Sequence, residues 1–179
     1  MSTKASIDEI PLLTGRAIDQ VGILVPDLEA AVRSHRASWQ GIGWNLWEYD
    51  ASMLTSVTYR GTPTSSAAWR AALNTATPQI ELIQPVTGPS IYDEWIEERG
   101  YGLHHLGVVV ASVDGAIEQM AAVGLEVIQA GRGFGLDGDG GFAYFDTLDE
   151  FGFLVEAITR PLRRREPFAS FAEDDAPTA

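Results

Sequence analysis

The chain has 179 residues and no cysteine. A disulfide framework, a thiolate metal centre and a cysteine nucleophile are therefore excluded, and the composition suits a reducing, cytoplasmic setting. Positive charge is scarce. Twelve Lys and Arg stand against 25 Asp and Glu, for a formal net charge of −13. Nucleic acids and anionic membranes are bound by clustered Lys and Arg, so neither is expected as a partner. Long apolar runs are also missing. The longest, around Leu106–Ala111, falls far short of the ~20 residues a bilayer-spanning helix needs. Met1–Leu12 carries Lys4, Asp8 and Glu9 where a signal peptide would be apolar, so none is expected. What is present, 45% hydrophobic and 21% charged residues, is ordinary globular composition. The length suits one domain with a sizeable core.

The chain contains an internal repeat. Ile18–Val32 (IDQVGILVPDLEAAV) aligns without a gap on Leu103–Ile117 (LHHLGVVVASVDGAI), at an offset of 85 residues that places Gln20 on His105. Gly22 falls on Gly107, Val25 on Val110 and Ala31 on Ala116. Asp27 falls on Ser112, and both are good helix N-caps. Leu28 and Val32 match Val113 and Ile117 as the apolar stripe of the next helix. Each copy thus opens with a strand and a capped helix. Further strands are expected at Leu46–Tyr49, Leu54–Tyr59, Trp69–Asn74 and Gln79–Ile83 in copy one. In copy two they are expected at Glu126–Gln129, Gly141–Phe145 and Phe153–Ile158. The closing strands share a core, Ile80-Glu81-Leu82 and Val155-Glu156-Ala157, and a proline follows each, Pro85 and Pro161. A helix over Ile91–Arg99, ended by Gly100, joins the copies.

The pattern predicts an α+β fold of two tandem βαβββ modules, a curved mixed sheet around a cavity. The domain is expected over 17–161: module one 17–88, linking helix 89–100, module two 101–161. An N-terminal tail (1–16) and a C-terminal tail (162–179) flank it. In the latter, Arg163, Arg164 and Arg165 precede the acidic Glu173, Asp174 and Asp175. The arginine run admits a phosphate contact, but is read as a solvated, frayed end.

Polar residues interrupt the strands where they should be apolar: Gln20, Glu81, His105 and Glu156. Lone carboxylates in such surroundings are costly unless paired or metal-bound. A pseudo-two-fold packing of the copies brings all four side chains to one point. One nitrogen and three oxygen donors suit a divalent ion such as Zn, Mn, Co, Ni or Fe(II).

The segments DQVGILVPDLEAA, QIELIQP, GLHHLGVVV and FLVEAI together resemble the vicinal-oxygen-chelate (glyoxalase, bleomycin-resistance, dioxygenase) superfamily. GPSIYDEWIEERGYGLHHLG looks most like its methylmalonyl-CoA epimerase branch. The resemblance covers roughly Ala17 to Pro161. It implies metal positions at Gln20, Glu81, His105 and Glu156, a set similar to that of zinc-type glyoxalase I, with Zn, Mn, Co or Ni as the ion. It also implies proton transfer through an enolate-like intermediate, with Glu156 as ligand and base and Glu81 as its mirror-related counterpart. A homodimer is implied too. Several departures narrow the reading. The extra epimerase glutamate would fall near Trp69–Arg70, where no acid stands. Two glutathione-contact positions of glyoxalase I carry Pro85 and Tyr101. Extradiol dioxygenases hold Fe(II) with two His and one Glu, and Gln20 stands in a His position. The expected activity is a metal-dependent isomerase, epimerase or lyase acting on a small keto, carboxylic or acyl-thioester compound. The alternative is a metal-free small-molecule binding or resistance protein, and an Fe(II) dioxygenase ranks third.

Tyr59, Arg70, Tyr144 and Asp146 are further candidates for substrate contacts. Strand alternation places His104 on the face opposite His105, in a structural role. His35 is expected near a helix end in solvent. Arg132–Gly141 (RGFGLDGDGG) lacks the ending of a phosphate loop and the Glu of a calcium loop; it is read as a flexible loop over the cavity. Trp39, Trp44, Trp47, Trp69 and Trp95 are expected mostly in the core or the cavity wall.

Overall fold

The computed structural model describes residues 9–172. The chain opens with β1 (Gln20–Leu24), α1 (Leu28–Ser38), β2 (Trp44–Tyr49), β3 (Ser56–Tyr59), β4 (Thr62–Pro63), β5 (Ala68–Asn74) and β6 (Gln79–Thr87). The linking helix is α2 (Ile91–Arg99). The second half runs β7 (Gly102–Val109), α3 (Val113–Ala122), β8 (Val127–Phe134), β9 (Gly140–Phe145), α4 (Leu148–Phe151) and β10 (Leu154–Thr159), and β11 (Ala169–Phe171) follows.

The expected caps form. Asp27 accepts from the Ala30 amide (2.8 Å) at the head of α1, and Ser112 from the Gly115 amide (3.2 Å) at the head of α3. Gly100 closes α2 at φ 80°, where a side chain would be strained.

One mixed sheet runs β11-β2-β5-β6-β1-β7-β10-β9-β8-β3-β4. The repeat is visible in it: β2-β5-β6-β1 mirrors β8-β9-β10-β7. The two halves join at the antiparallel β1–β7 seam, and each opening strand pairs in parallel with the closing strand of its own half. The sheet is strongly curled. Tyr49 on β2 and Phe134 on β8 are seven strands apart in the order, about 34 Å if flat, yet their ring centroids lie 6.0 Å apart.

Alternation then sorts the side chains. Leu46, Ala72 and Leu82 face outward onto Leu28 and Val32 of α1. Ala143, Phe145, Val155 and Ala157 face outward onto Val113, Ala116 and Met120 of α3. The concave side collects Trp47, Tyr49, Trp69, Tyr92, Trp95, Phe134, Phe142 and Tyr144. Four of the five tryptophans are buried; Trp39 is exposed.

Several expectations are corrected. The hairpin β3–β4 leaves the first half and pairs with β8 of the second. The segments expected as frayed tails join the fold within the described residues. Ile10 and Leu12 are buried in the core beneath α3, and β11 extends the sheet at β2. Glu173, Asp174 and Asp175 lie outside the described residues. Arg132–Gly141 is a hairpin: β8 runs to Phe134, β9 starts at Gly140, and only 135–139 turn between them. His35 is half-buried; its ring packs edge-on against Trp39 and Trp44, and its Nδ1 lies 2.8 Å from the Ala31 carbonyl. Among the described residues, no helix is long and apolar enough to cross a membrane.

Candidate metal centre and cavity

The carboxylates of Glu81 and Glu156 sit on the closing strands β6 and β10. Their neighbours Leu82, Val155 and Ala157 point to the helices, so alternation turns both acids inward. His105 lies on β7, against the seam. One donor atom each from Glu81, His105 and Glu156 lies within 4.8 Å of the others. His105 Nε2 is 3.1 Å from Glu156 Oε2 and 3.5 Å from Glu81 Oε2. The nearer approach suits charge attraction but is poorly aligned for a hydrogen bond, and both His105 Nε2 and Glu156 Oε2 are buried without an aligned partner. Gln20 on β1 lines the same cavity; its Nε2 donates to Gln79 Oε1 at 3.1 Å.

Two glycines make room for this cluster. Gly22 pairs across the seam with His105, and Gly107 with Gln20. A Cβ on Gly22 would lie 1.9 Å from His105 Cε1, and one on Gly107 would lie 3.1 Å from Gln20 Cβ. They are equivalent positions of the repeat, so each half leaves a gap for the other half's polar side chain.

His104 does not turn to the opposite face. The register slips between Gly22 and Ile23, which pair with His105 and Leu103 and leave His104 as the extra residue of a β-bulge. A bulge interrupts alternation. The two imidazoles therefore sit together, Nδ1 to Nδ1 at 3.0 Å, with His104 packed against Tyr92, Trp95 and Tyr144. His104 is fully buried, and burial, with His105 adding to it, holds its pKa well below the usual value. It stays neutral. For His105, burial pulls the pKa down, but Glu156 and Glu81 outweigh it and push it up to about 9. Burial raises the Glu156 carboxyl, against the pull of His105.

The cavity holds about 40 Å³ and is lined by Gln20, Glu81 and Glu156, by the rings of Tyr49, Trp69, Tyr92, Phe134, Phe142 and Tyr144, and by Leu73, Ile158 and Arg164. The Tyr92 and Tyr144 hydroxyls are 2.9 Å apart. Burial pushes the Tyr49 hydroxyl up to about 12, with Arg164 pulling the other way.

Of the four expected substrate contacts, Tyr144 lines this cavity and the others lie elsewhere. Arg70 alternates with the inward Trp69 and Ala71 and so faces outward, paired with Glu48 at 2.9 Å. Tyr59 bonds the Glu94 carboxylate of α2, beside Arg60. Asp146 follows β9 and lies with Glu126 and Arg60 around a separate surface pocket. Sequence reading put Trp69 and Tyr144 among the candidates for the wall but missed Arg164 and the rings of Tyr49, Tyr92, Phe134 and Phe142. The spacing of Trp47 and Tyr49, two apart on one strand, hinted at the wall. Nothing local marks Arg164 apart from its two arginine neighbours.

The residues fit a divalent ion: two carboxylates and an imidazole converge, and buried donor atoms of two of them lack aligned partners. The cluster sits where two βαβββ halves face each other across a pseudo-two-fold seam. A family profile described as Glyoxalase/Bleomycin resistance protein/Dioxygenase superfamily matches residues 19–145, and the chain belongs to that superfamily. No protein of curated function matches by sequence. Similar solved structures include methylmalonyl-CoA epimerase from Mycobacterium tuberculosis (23% identity, 79% of this chain and 86% of that one, TM-score 0.55). A Streptomyces coelicolor methylmalonyl-CoA epimerase variant in complex with 2-nitronate-propionyl-CoA is similar at 19% identity (83% and 96%, TM-score 0.58). So is a hypothetical protein from Bacillus halodurans, also at 19% (84% and 98%, TM-score 0.56). At these identities the likeness establishes the shared fold.

Proposed function

We propose that this protein is a metal-dependent isomerase, epimerase or lyase that moves a carbon-bound proton on a small keto, carboxylic or acyl-thioester substrate. The observation that carries this reading is the convergence of Glu81, His105 and Glu156 within 4.8 Å, with both carboxylates on the wall of a largely aromatic cavity. With Gln20, these residues would hold a divalent Zn, Mn, Co or Ni ion through one nitrogen and three oxygens. When bound, such an ion polarises substrate oxygens and spreads the negative charge left by a departing proton.

The chain's own groups do the rest. The aromatic wall keeps water from the reacting carbon. Glu156 is the first candidate to accept the proton, its carboxyl made more basic by burial. Glu81 approaches from the equivalent strand of the other half, placed to return the proton from the other side. Tyr144, supported by Tyr92, offers its hydroxyl beside Glu156. No acid stands near Trp69–Arg70, where the resemblance to the epimerase branch would put its extra glutamate, so the closing-strand glutamates are the proposed proton carriers. The fold likeness to methylmalonyl-CoA epimerases supports this type of chemistry, and the small cavity admits the reacting head of a substrate.

The test is metal content by plasma mass spectrometry on untagged protein purified without chelators, beside a His105→Ala, Glu156→Ala double variant. About one ion per chain, lost in the variant, is expected. Solvent-deuterium exchange into small 2-oxo acids and acyl-thioesters then follows by NMR. No ion after soaking in Zn, Mn, Co and Ni salts would overturn the reading.

One observation favours a second reading, a metal-free binding or resistance protein. His105 Nε2 lies 3.1 Å from the Glu156 carboxylate and 3.5 Å from that of Glu81, where a protonated ring offsets their charge without an ion. The same metal analysis separates the two.

A further inference from the structure

The consecutive arginines 163–165 have different surroundings. The chain leaves β10 through Pro161, which packs on Gly135 of the β8–β9 turn; a Cβ on that glycine would lie 2.4 Å from the proline ring. The turn then holds the passing segment. Asp139 accepts from the Leu162 amide (2.9 Å), the Leu136 amide donates to the Arg163 carbonyl (2.9 Å), and Asp137 accepts from Arg163 Nε (2.7 Å). Two residues on, the attachment passes to the other half of the sheet. Trp47 Nε1 donates to the Arg165 carbonyl (2.8 Å), the Phe168 amide donates to the Leu46 carbonyl (2.9 Å), and β11 pairs with β2. The segment 161–171 is thus a strap tying the second half to the edge of the first, clamped on both sides of residue 164.

The clamps determine where Arg164 goes. Arg163 points out to Asp137, whereas the Arg164 side chain reaches the cavity wall. Its guanidinium lies 5.2 Å from the centre of the Trp47 ring and close enough to Tyr49 to pull on the hydroxyl's pKa. Arg164 is the one Lys or Arg among the cavity-lining residues. Among the described residues, no carboxylate lies within ion-pair distance of it. A guanidinium has five N–H donors in a planar fork. Here the contact with the Trp47 ring leaves donors of the fork for a ligand, on the cavity wall that also carries Glu81 and Glu156.

We infer that Arg164 is a specificity-determining residue that receives a carboxylate of the substrate, so that the protein selects small carboxylic acids over their neutral counterparts. The guanidinium fork matches a carboxylate through two parallel hydrogen bonds. The space favours the same occupant. A cavity of about 40 Å³ takes a group the size of a few waters, and two glutamates on its wall repel a phosphate dianion more than a carboxylate. The strap explains how a protein carrying −13 overall attracts an anion: one cation is delivered into the cavity from outside the repeated halves. This inference deepens the proposed function by naming the substrate class, but the recognition it describes does not depend on the ion.

The test titrates the full chain with pyruvate and with its neutral amide, pyruvamide, in chelator-treated and in Mn-loaded form. The ¹H–¹⁵N indole resonance of Trp47, bonded to the strap, reports binding in the chelator-treated form, and titration calorimetry reports it in the Mn-loaded form, where the paramagnetic ion broadens nearby resonances. A charge-assisted pair is worth ~1.5–3 kcal/mol, so pyruvate should bind at least about tenfold more tightly than pyruvamide. Arg164→Gln should bring the two within about threefold by weakening pyruvate alone, and Arg164→Lys should keep part of the preference. Where the ligand-free spectrum of Arg164→Gln shows the strap displaced, Arg164→Met replaces it, its unbranched stem retaining the contact with Trp47. The inference is overturned by equal binding of acid and amide to the wild type, by no binding of either, or by a preference that survives loss of the guanidinium. A preference seen only with Mn and untouched by Arg164→Gln overturns it while leaving the metal reading intact. An Arg164-dependent preference in a protein that never takes up metal supports it and sinks the metal reading.

Discussion

Replacing Gly22 with alanine should abolish metal uptake at the candidate Glu81–His105–Glu156 site without unfolding the protein. The added Cβ would stand 1.9 Å from His105 Cε1, 2.2 Å from Nε2 and 2.3 Å from Nδ1. Carbon atoms rest at about 3.5–4.0 Å, so the imidazole must retreat by roughly 1.6–2 Å. It is fully buried and braced by His104 and Tyr144, so the retreat is resisted. Overpacking of this kind costs about 1–3 kcal/mol, or roughly 2–12 °C in Tm for a chain of this size. Metal coordination tolerates only about 0.2 Å in ligand distance, so the affinity should fall by about 100-fold or more. The equivalent Gly107→Ala meets Gln20 Cβ at 3.1 Å and the end of Ile158 at 2.8 Å, a flexible atom that can move aside. It should cost less on both counts. Calorimetric Tm and Mn affinity of the two variants check this. Wild-type affinity in Gly22→Ala, or a larger loss in Gly107→Ala, would refute the reasoning.

Three other outcomes are expected. Leu12→Ala should destabilise the fold by about 2–5 kcal/mol in urea titration, because its fully buried side chain fills the core beneath α3; a change near zero would mean that the N-terminal segment is not docked. Gln129→Met should cost about 1–3 kcal/mol, because its buried Oε1 accepts the Ile91 amide at the head of α2 (2.9 Å). Fluorescence-monitored unfolding measures that loss, and a neutral result would show that the amide has another partner. Arg60 first, then Tyr59, hold the Glu94 carboxyl below its usual range, against burial. A depressed carboxyl stabilises the fold above its unfolded pKa and loses that contribution as pH falls through the folded value. Glu94→Gln should therefore cost no more than ~1 kcal/mol at neutral pH, Arg60 being exposed and Glu94 partly so, and the gap to wild type should close in acid. A gap that widens in acid would reverse the assignment.

The repeat made most of the fold legible. The offset of 85 that aligns Gln20 with His105 also aligned the helix caps and the paired glycines, and the closing strands repeat at an offset of 75, because two halves packed about one seam need the same residues at equivalent places. Alternation alone put Glu81 and Glu156 inward. Local pattern failed wherever distant strands had to meet. The bulge at His104 arises from the register between β1 and β7, which neither strand specifies alone. Tyr59 and Arg70 looked like cavity residues until β3 paired with β8 and the pleat of β5 turned Arg70 outward.

What the sequence by itself determined was the class of the fold, the two halves and the polar residues at their seam, since periodicity and composition are local properties. What only the tertiary structure decided was where the flanking segments go. Ile10 and Leu12 look like part of a tail until α3 is in place to cover them. Arg164 reads as one of three solvated charges until the acids of the β8–β9 turn and the indole of Trp47 hold the residues on either side of it. An isolated charge run is cheapest in water; only anchors from two distant strands compensate for drawing one member of it into a cavity.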